Sequence, residues 1–338
     1  MPEADPFGTR YYGQEGFQAA RRPGKRPDTH EEARLRKLLD EDVPDRVKRT
    51  VKQWNQTVRE FIRTETALRL TVAEARHAVP IKVVDGLPLP FAEILQGVDE
   101  TLLWLTLNRP TLEATAAGLG QVVKRFPDFL KWPPTKQSLG QQDGFLDVDQ
   151  MDLQKSQEFL ETLLKALEEL SLIEQLKTID EDVLGAYFFR IPEIRLYWMA
   201  IGFFAHNLDV PVEALTVVTL AHELAHAYSH LGKDIDGRDW DTAAFAQADI
   251  YIVEGLAQFY TEVVCKRLAF RYPEAFQAYK EFLGIQGGPY LAHRSWIEDD
   301  ARAGEVVRIS MLHTRTNQVT LYNDFLRERA RAQQSLGR

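Results

Sequence analysis

Two histidines four residues apart, with a glutamate beside the first, are the residues of this chain best suited to chemistry: His222-Glu223-Leu224-Ala225-His226, an HExxH pattern. On a helix, positions i and i+4 lie about 40° apart around the axis and about 6 Å along it, so both imidazoles can converge on one ion. Glu223 reaches the same pocket from the next position around. A zinc hydrolase needs three protein ligands, an open coordination position and a carboxylate that takes a proton from water. The segment offers two ligands, His222 and His226, and the general base, Glu223. Its surroundings suit a buried helix: Thr219, Leu220 and Ala221 precede it, Ala227 and Tyr228 follow, and neither Pro nor Gly interrupts. A surface helix bearing two histidines by coincidence fits poorly with an apolar run over 214–227 broken only by Thr, His and Glu.

A third ligand must come from elsewhere. The polar loop 232–242 leads into a second helical pattern from about Ala243. Within it, Glu254 is a lone carboxylate in an apolar run, and such a group is costly to bury unless paired or coordinated. Gly255 and Ala257 are small enough to let that helix approach the motif closely. A surface glutamate, or one paired with an arginine, is the plainer alternative. His230 continues the i, i+4, i+8 series, but it lies about another 6 Å along one straight helix and does not easily close a tetrahedron; it reads as a supporting or surface residue. Asp236, Asp239, Asp241 and Glu262 are weaker candidates. For a donor to a developing oxyanion, Tyr290 and His293 in Gly-Gly-Pro-Tyr-Leu-Ala-His come first, with Gly287-Gly288 as hinges of a possible flap. Arg308, His313 and Arg315 follow, and each of the five reads equally well as packing or surface. His30, His77 and His206 read as structural or solvated.

HELAH followed by a helix opening VEGLAQFY resembles the gluzincin branch of the zincin metallopeptidases, over roughly residues 183–270. The resemblance implies Zn2+ held by His222, His226 and Glu254, with Glu223 as general base. Two β-rich runs, 184–190 and 194–198, separated by Pro192-Glu193, resemble the zincin sheet, whose edge strand binds substrate; residues 194–198 are the expected place for a peptide. The chain departs from the pattern in a longer gap between His226 and Glu254. It also has Gln258 where an ExxxD arrangement has Asp; the Gln258 amide oxygen can still accept a ring N–H and fix an imidazole. No HxxGxxH continuation of the metzincin kind is present.

The elements that must position these residues are mostly helical. Apolar residues recur at three- and four-residue steps over 30–79, 91–107, 111–126 and 151–176. A short strand fits 81–84, and Asp209 or Asn207 is placed to cap the motif helix. The expected fold class is α+β, mostly helical: a zincin-like metallopeptidase domain over 179–330 with a small antiparallel or mixed sheet, preceded by a helical N-terminal region over 31–178. Residues 1–30, rich in Pro, Gly and Arg, read as a flexible arm. Trp132-Pro133-Pro134 and 140–144 read as a loop, and 143–182 as an exposed acidic face without EF-hand spacing.

At 338 residues the chain can bury a full core, and 44% hydrophobic with 27% charged residues is ordinary for a globular protein. A net charge of −9 argues against nucleic-acid or anionic-membrane partners. Cys265, the single cysteine, reads as a buried thiol. No h-region and no apolar run near about 18 residues is present, which points to the cytoplasm. The expected function is a zinc-dependent metallopeptidase, a hydrolase acting on a peptide or protein substrate. The alternatives are a regulatory intracellular zincin that cleaves one protein partner, with the N-terminal helices or the acidic region as docking surface, and a non-catalytic zinc-binding scaffold.

Overall fold

The computed structural model describes residues 30–70, 79–130, 150–169, 183–297 and 302–337. The arm before His30, the loop around 132–144, His77 and the acidic residues at 143–149 and 170–182 lie outside the described residues. In chain order the structure opens with α1 (His30–Leu38), α2 (Val43–Thr66), β1 (Ile81–Val84) and α3 (Leu89–Leu95). Then come α4 (Glu100–Leu107), α5 (Arg109–Leu130) and α6 (Gln150–Glu169). The motif region follows: β2 (Gly185–Phe188), β3 (Glu193–Tyr197), α7 (Trp198–Asn207), α8 (Val212–Leu231), α9 (Thr242–Gln247) and α10 (Ile250–Leu268). The chain closes with α11 (Pro273–Leu283), a 3-10 turn (Gly288–Leu291), α12 (Arg294–Ile297), α13 (Ala303–Thr316) and α14 (Tyr322–Leu336). The fold is mostly helical, with one small mixed sheet, as the sequence pattern predicts.

Contacts divide the chain into two units, residues 98–175 and the remainder. The smaller unit holds α4, α5 and α6, with α5 packed along α6; Asp99 caps α4 by accepting from the Leu102 N–H at 2.8 Å. The larger unit takes in α1, α2, β1 and α3 together with everything from residue 176 onward, a different division from the sequence boundary at 178. The reason lies in α2. Its stripe of Val47, Val58 and Ile62 is buried, and the helix packs extensively against α8, the motif helix. Two polar ties hold the pair: the Arg46 guanidinium forks onto Glu213 at 2.7 and 2.8 Å, and the Tyr228 hydroxyl donates to the Arg59 carbonyl at 3.1 Å.

The sheet runs in the order β1-β3-β2. β1 lies parallel to β3, Ile81 opposite Ile194, and β2 lies antiparallel to it, Gly185 opposite Leu196 and Phe188 opposite Glu193. The sequence expectation of a substrate strand at 194–198 is therefore corrected. Strand β3 is the middle strand, because β1 arrives from more than a hundred residues away and takes its outer edge. The edge strand beside α8 is β2.

Helix α8 is buried all round: every residue from Ala214 to His230 is buried, as for a helix apolar on every face and enclosed by the fold. It packs against α2, α10, α11 and β2. Its cap differs from expectation. Pro211 is the N-cap, without a side-chain cap, while Asn207 ends α7 and Asp209 turns the chain with a φ of 51°. Helix α10 is capped conventionally, Asp249 accepting from the Tyr251 N–H at 2.9 Å. Among the described residues no helix is long and apolar enough to cross a membrane.

Candidate metal centre

The two helices that carry the motif residues, α8 and α10, pack directly on each other. Gly255 on α10 makes room for Trp296: a Cβ there would sit 2.4 Å from Trp296 Cη2, so the indole of α12 seats where any side chain would be. Glu254, the residue before it, meets the histidines of α8 and is fully buried.

Three donor atoms converge between these helices. His222 Nε2 lies 3.1 Å from Glu254 Oε2, His226 Nε2 lies 3.0 Å from His222 Nε2, and His226 Nε2 lies 3.5 Å from Glu254 Oε2. Zinc with nitrogen and oxygen ligands at about 2.0–2.2 Å occupies a tetrahedron whose edges are about 3.3–3.5 Å. One edge of the triangle matches and the other two are a few tenths of an ångström shorter, so a small outward shift of the rings would admit such an ion. The donor chemistry fits as well. A proton on one ring satisfies one edge of this buried triangle, whereas a divalent cation satisfies two imidazoles and a carboxylate at once. His222, His226 and Glu254 thus form a buried cluster able to hold a metal ion.

Glu223 projects toward β2. A Cβ built on Gly185 would stand 2.7 Å from its Oε1, 2.8 Å from its Cγ and 3.0 Å from its Cδ, so the carboxylate lies against bare strand backbone. His222 and Glu223 line one cavity, of about 560 Å3 counted to its mouth, with Thr219, Gln258, Gln286 and Tyr290 also in its wall. Tyr290 is brought to the triad: its ring centroid is 6.1 Å from that of His222. It sits in the 3-10 turn that Gly288 opens with a φ of 40°, and it is buried against α10.

His293 takes a different place from the one expected. It is fully buried, and it does not line either cavity at the triad. Its Nδ1 faces the Tyr290 carbonyl at 3.0 Å, and its Nε2 faces Glu262 Oε2 at 3.0 Å and the Tyr279 hydroxyl at 3.1 Å. The ring therefore anchors the turn that presents Tyr290. Burial alone would raise the Glu262 pKa, but the bonds and charges of His293 and Lys266 outweigh it and bring the carboxyl down to about 2. That pairing also removes Glu262 from the list of ligands.

The remaining candidates are assigned just as plainly. His230 is no ligand: its Nδ1 meets the Tyr187 hydroxyl at 2.9 Å and its Nε2 meets Thr242 Oγ1 at 3.1 Å, tying β2 and α9 to α8. Burial, aided by the Arg315 charge, lowers its pKa to about 4, so the ring is neutral. Asp236 and Asp239 are exposed in the loop, and Asp241 caps α9. Arg315 is buried and donates to the carbonyls of Gly232 and Arg238, fastening that loop; His313 faces Glu328 at 3.2 Å. Arg308 is half-buried, and none of these three lines either cavity at the triad. Gln258 does not hold a ligand histidine. Its amide N–H donates to Gln286 Oε1 at 2.8 Å, and its own oxygen has no partner among the described residues. Cys265 is a buried free thiol, its pKa raised by burial.

No family model, no curated protein and no solved structure matches the chain. The reading of the site accordingly stands on its own residues. Two of them were not singled out in the sequence, Gly185 and Gln286. Gly185 carries a recognisable signal, a glycine opening a short strand, which marks a close approach.

Proposed function

We propose that this chain is a zinc-dependent metallopeptidase, with His222, His226 and Glu254 holding the ion and Glu223 as general base. The observation that carries the proposal is the buried triangle of donor atoms with a fourth side chain, a carboxylate, in the cavity beside it. A zinc ion bound there supplies a water of lowered pKa and a Lewis acid for the substrate carbonyl. Glu223 takes the proton from the attacking water and returns it to the leaving amine. Tyr290, in the same cavity wall, is the donor for the oxyanion that develops. A peptide substrate is favoured because no described strand pairs with the outer edge of β2. An extended chain can add to that edge through main-chain hydrogen bonds, next to Glu223 and the triad.

Of the alternatives, a non-catalytic scaffold gives no role to the Glu223 carboxylate in the cavity wall beside the donor triangle. Docking of a single protein partner by separate N-terminal helices draws no support from α2, which is built into the core around α8.

The test is metal analysis together with cleavage of a peptide library. The purified protein is expected to hold about one zinc per chain. Glu223→Gln is expected to keep the metal and to lose about 10²- to 10⁴-fold in kcat/KM. Undiminished cleavage by that variant would remove Glu223 from the mechanism, and failure to bind zinc would sink the whole proposal.

A further inference from the structure

A second cavity, of about 410 Å3 counted to its mouth, shares a wall with the triad: His226 lines it. The rest is apolar, with Tyr187 and Phe189 on the strand side, Phe245 and Ala246 from α9, and Val253 from α10. The wall is rigid. Phe245 meets Tyr187 and Phe189 edge-on, at 6.5 and 5.8 Å between centroids, and stacks on His230 at 4.6 Å. Such mutual ring contacts fix the shape of the cavity before anything enters it. The polar atoms behind the wall are already used, since the Tyr187 hydroxyl and both nitrogens of His230 are bonded to each other and to Thr242. Both groups are neutral, burial holding the Tyr187 phenol high and the imidazole low. The exposed Arg190 lies 5.9 Å over the Phe189 ring, outside the lining.

Register connects this cavity to the chemistry. Gly185 and Tyr187 share one face of β2, where side chains two residues apart stand about 6.7 Å apart, and Phe189 follows in the turn just past the strand. Gly185 lies against Glu223, and Tyr187, the next position on that face, lines the second cavity together with Phe189. A peptide extended along β2 has the same repeat, so with its carbonyl at the triad a neighbouring side chain is directed into the apolar cavity.

We propose that this cavity is the specificity pocket of the site, and that it takes a large uncharged side chain, aliphatic or aromatic, from the residue beside the bond that is cut. The inference rests on the metallopeptidase reading, and its test does not need turnover. Zinc-loaded protein is titrated with hydroxamates of amino acids bearing methyl, isobutyl, benzyl, carboxymethyl and 4-aminobutyl side chains. The hydroxamate engages the metal and the side chain samples the pocket. Isobutyl and benzyl are expected to bind about 10- to 100-fold more tightly than methyl, from the apolar surface they bury. The two charged side chains are expected to bind no better than methyl.

Ala246→Phe should fill the cavity and abolish the benzyl advantage, with zinc content measured alongside as the check that the metal centre is intact. Val253→Ala, a milder change, should admit a naphthylmethyl side chain that the parent rejects. A flat series in zinc-loaded protein, or a benzyl advantage that survives Ala246→Phe, overturns the pocket. Selective binding without cleavage of any peptide would refute hydrolysis and leave the pocket standing. A chain that takes up no zinc overturns both.

Discussion

Replacing Gly185 with alanine adds one methyl group at the start of β2, and the nearest three atoms it meets all belong to Glu223. They stand at 2.7, 2.8 and 3.0 Å, where ordinary contacts to a methyl are about 3.5 Å or more. Something must move by roughly half an ångström to one ångström. The strand is poorly placed to do so. Gly185 is in register with Leu196, and the Leu184 carbonyl accepts from the Tyr197 N–H at 2.9 Å, so retreat would break the ladder to β3. Glu223 therefore turns away. A base displaced by about 1 Å loses on the order of 10²-fold in rate, with the 10²- to 10⁴-fold cost of losing general-base catalysis as the limit. Overpacking of this kind costs about 1–3 kcal/mol in stability. Zinc content should be unchanged, because the added methyl is directed at the base. The assay is kcat/KM on one library peptide, beside metal analysis and a urea melt. The decisive arm is the double variant. Gly185→Ala in a Glu223→Gln background should cost no further activity, since both act through the same proton transfer. Full activity in the single variant, or an added loss in the double one, would refute the reasoning.

Gly255→Ala places a methyl 2.4 Å from the buried indole of Trp296. It is expected to lower unfolding free energy by about 1–3 kcal/mol in a urea titration and to loosen zinc binding through its neighbour Glu254. Tyr290→Phe removes the proposed oxyanion donor, and a loss of about 10²- to 10³-fold in kcat with intact metal is expected; a change confined to KM would reassign the residue to substrate binding. His230 sets a pH dependence. Burial first, then the Arg315 charge, lowers its folded pKa to about 4, against about 6.5 unfolded, so its neutral form is favoured by the fold. The stability it confers is complete above about pH 6.5 and is lost as pH falls toward 4, by roughly 3 kcal/mol in total. Metal-free protein melted across this range should show the slope, and His230→Gln should flatten it.

Much of the centre was legible because helices encode their geometry locally. The four-residue step between His222 and His226 fixes both rings on one face, and an uncapped carboxylate in an apolar helix made Glu254 conspicuous. The amphipathic stripes of α2 and the short strand at 81–84 were legible for the same reason. What covers them was not. Strand β3 looked like an edge because nothing in residues 183–198 announces that β1 will pair with it. His293 looked like a donor because it stands with Tyr290 in the segment that follows Gly287-Gly288; its ring is met instead by Glu262, thirty-one positions earlier on another helix. Gln258 occupied the right position to steady a ligand, but its partner Gln286 lies in a loop whose path only the packing decides.

The two glycines explain how the candidate site can be this deeply enclosed. Glu223 and Glu254 are both almost completely buried, and a buried carboxylate is tolerable only where charge and hydrogen-bonding groups meet it at contact distance. Meeting that condition requires backbones closer than side chains normally allow. Gly185 lets a strand come down onto Glu223, and Gly255 lets α10 accept Trp296 directly behind Glu254. Each glycine therefore acts on one carboxylate, the first on the proposed base and the second on the proposed ligand. It follows that Gly185→Ala should affect turnover with metal retained, whereas Gly255→Ala should affect metal retention and stability first. A pair of variants that failed in the same way would mean that the two carboxylates are held by one shared scaffold rather than by separate contacts.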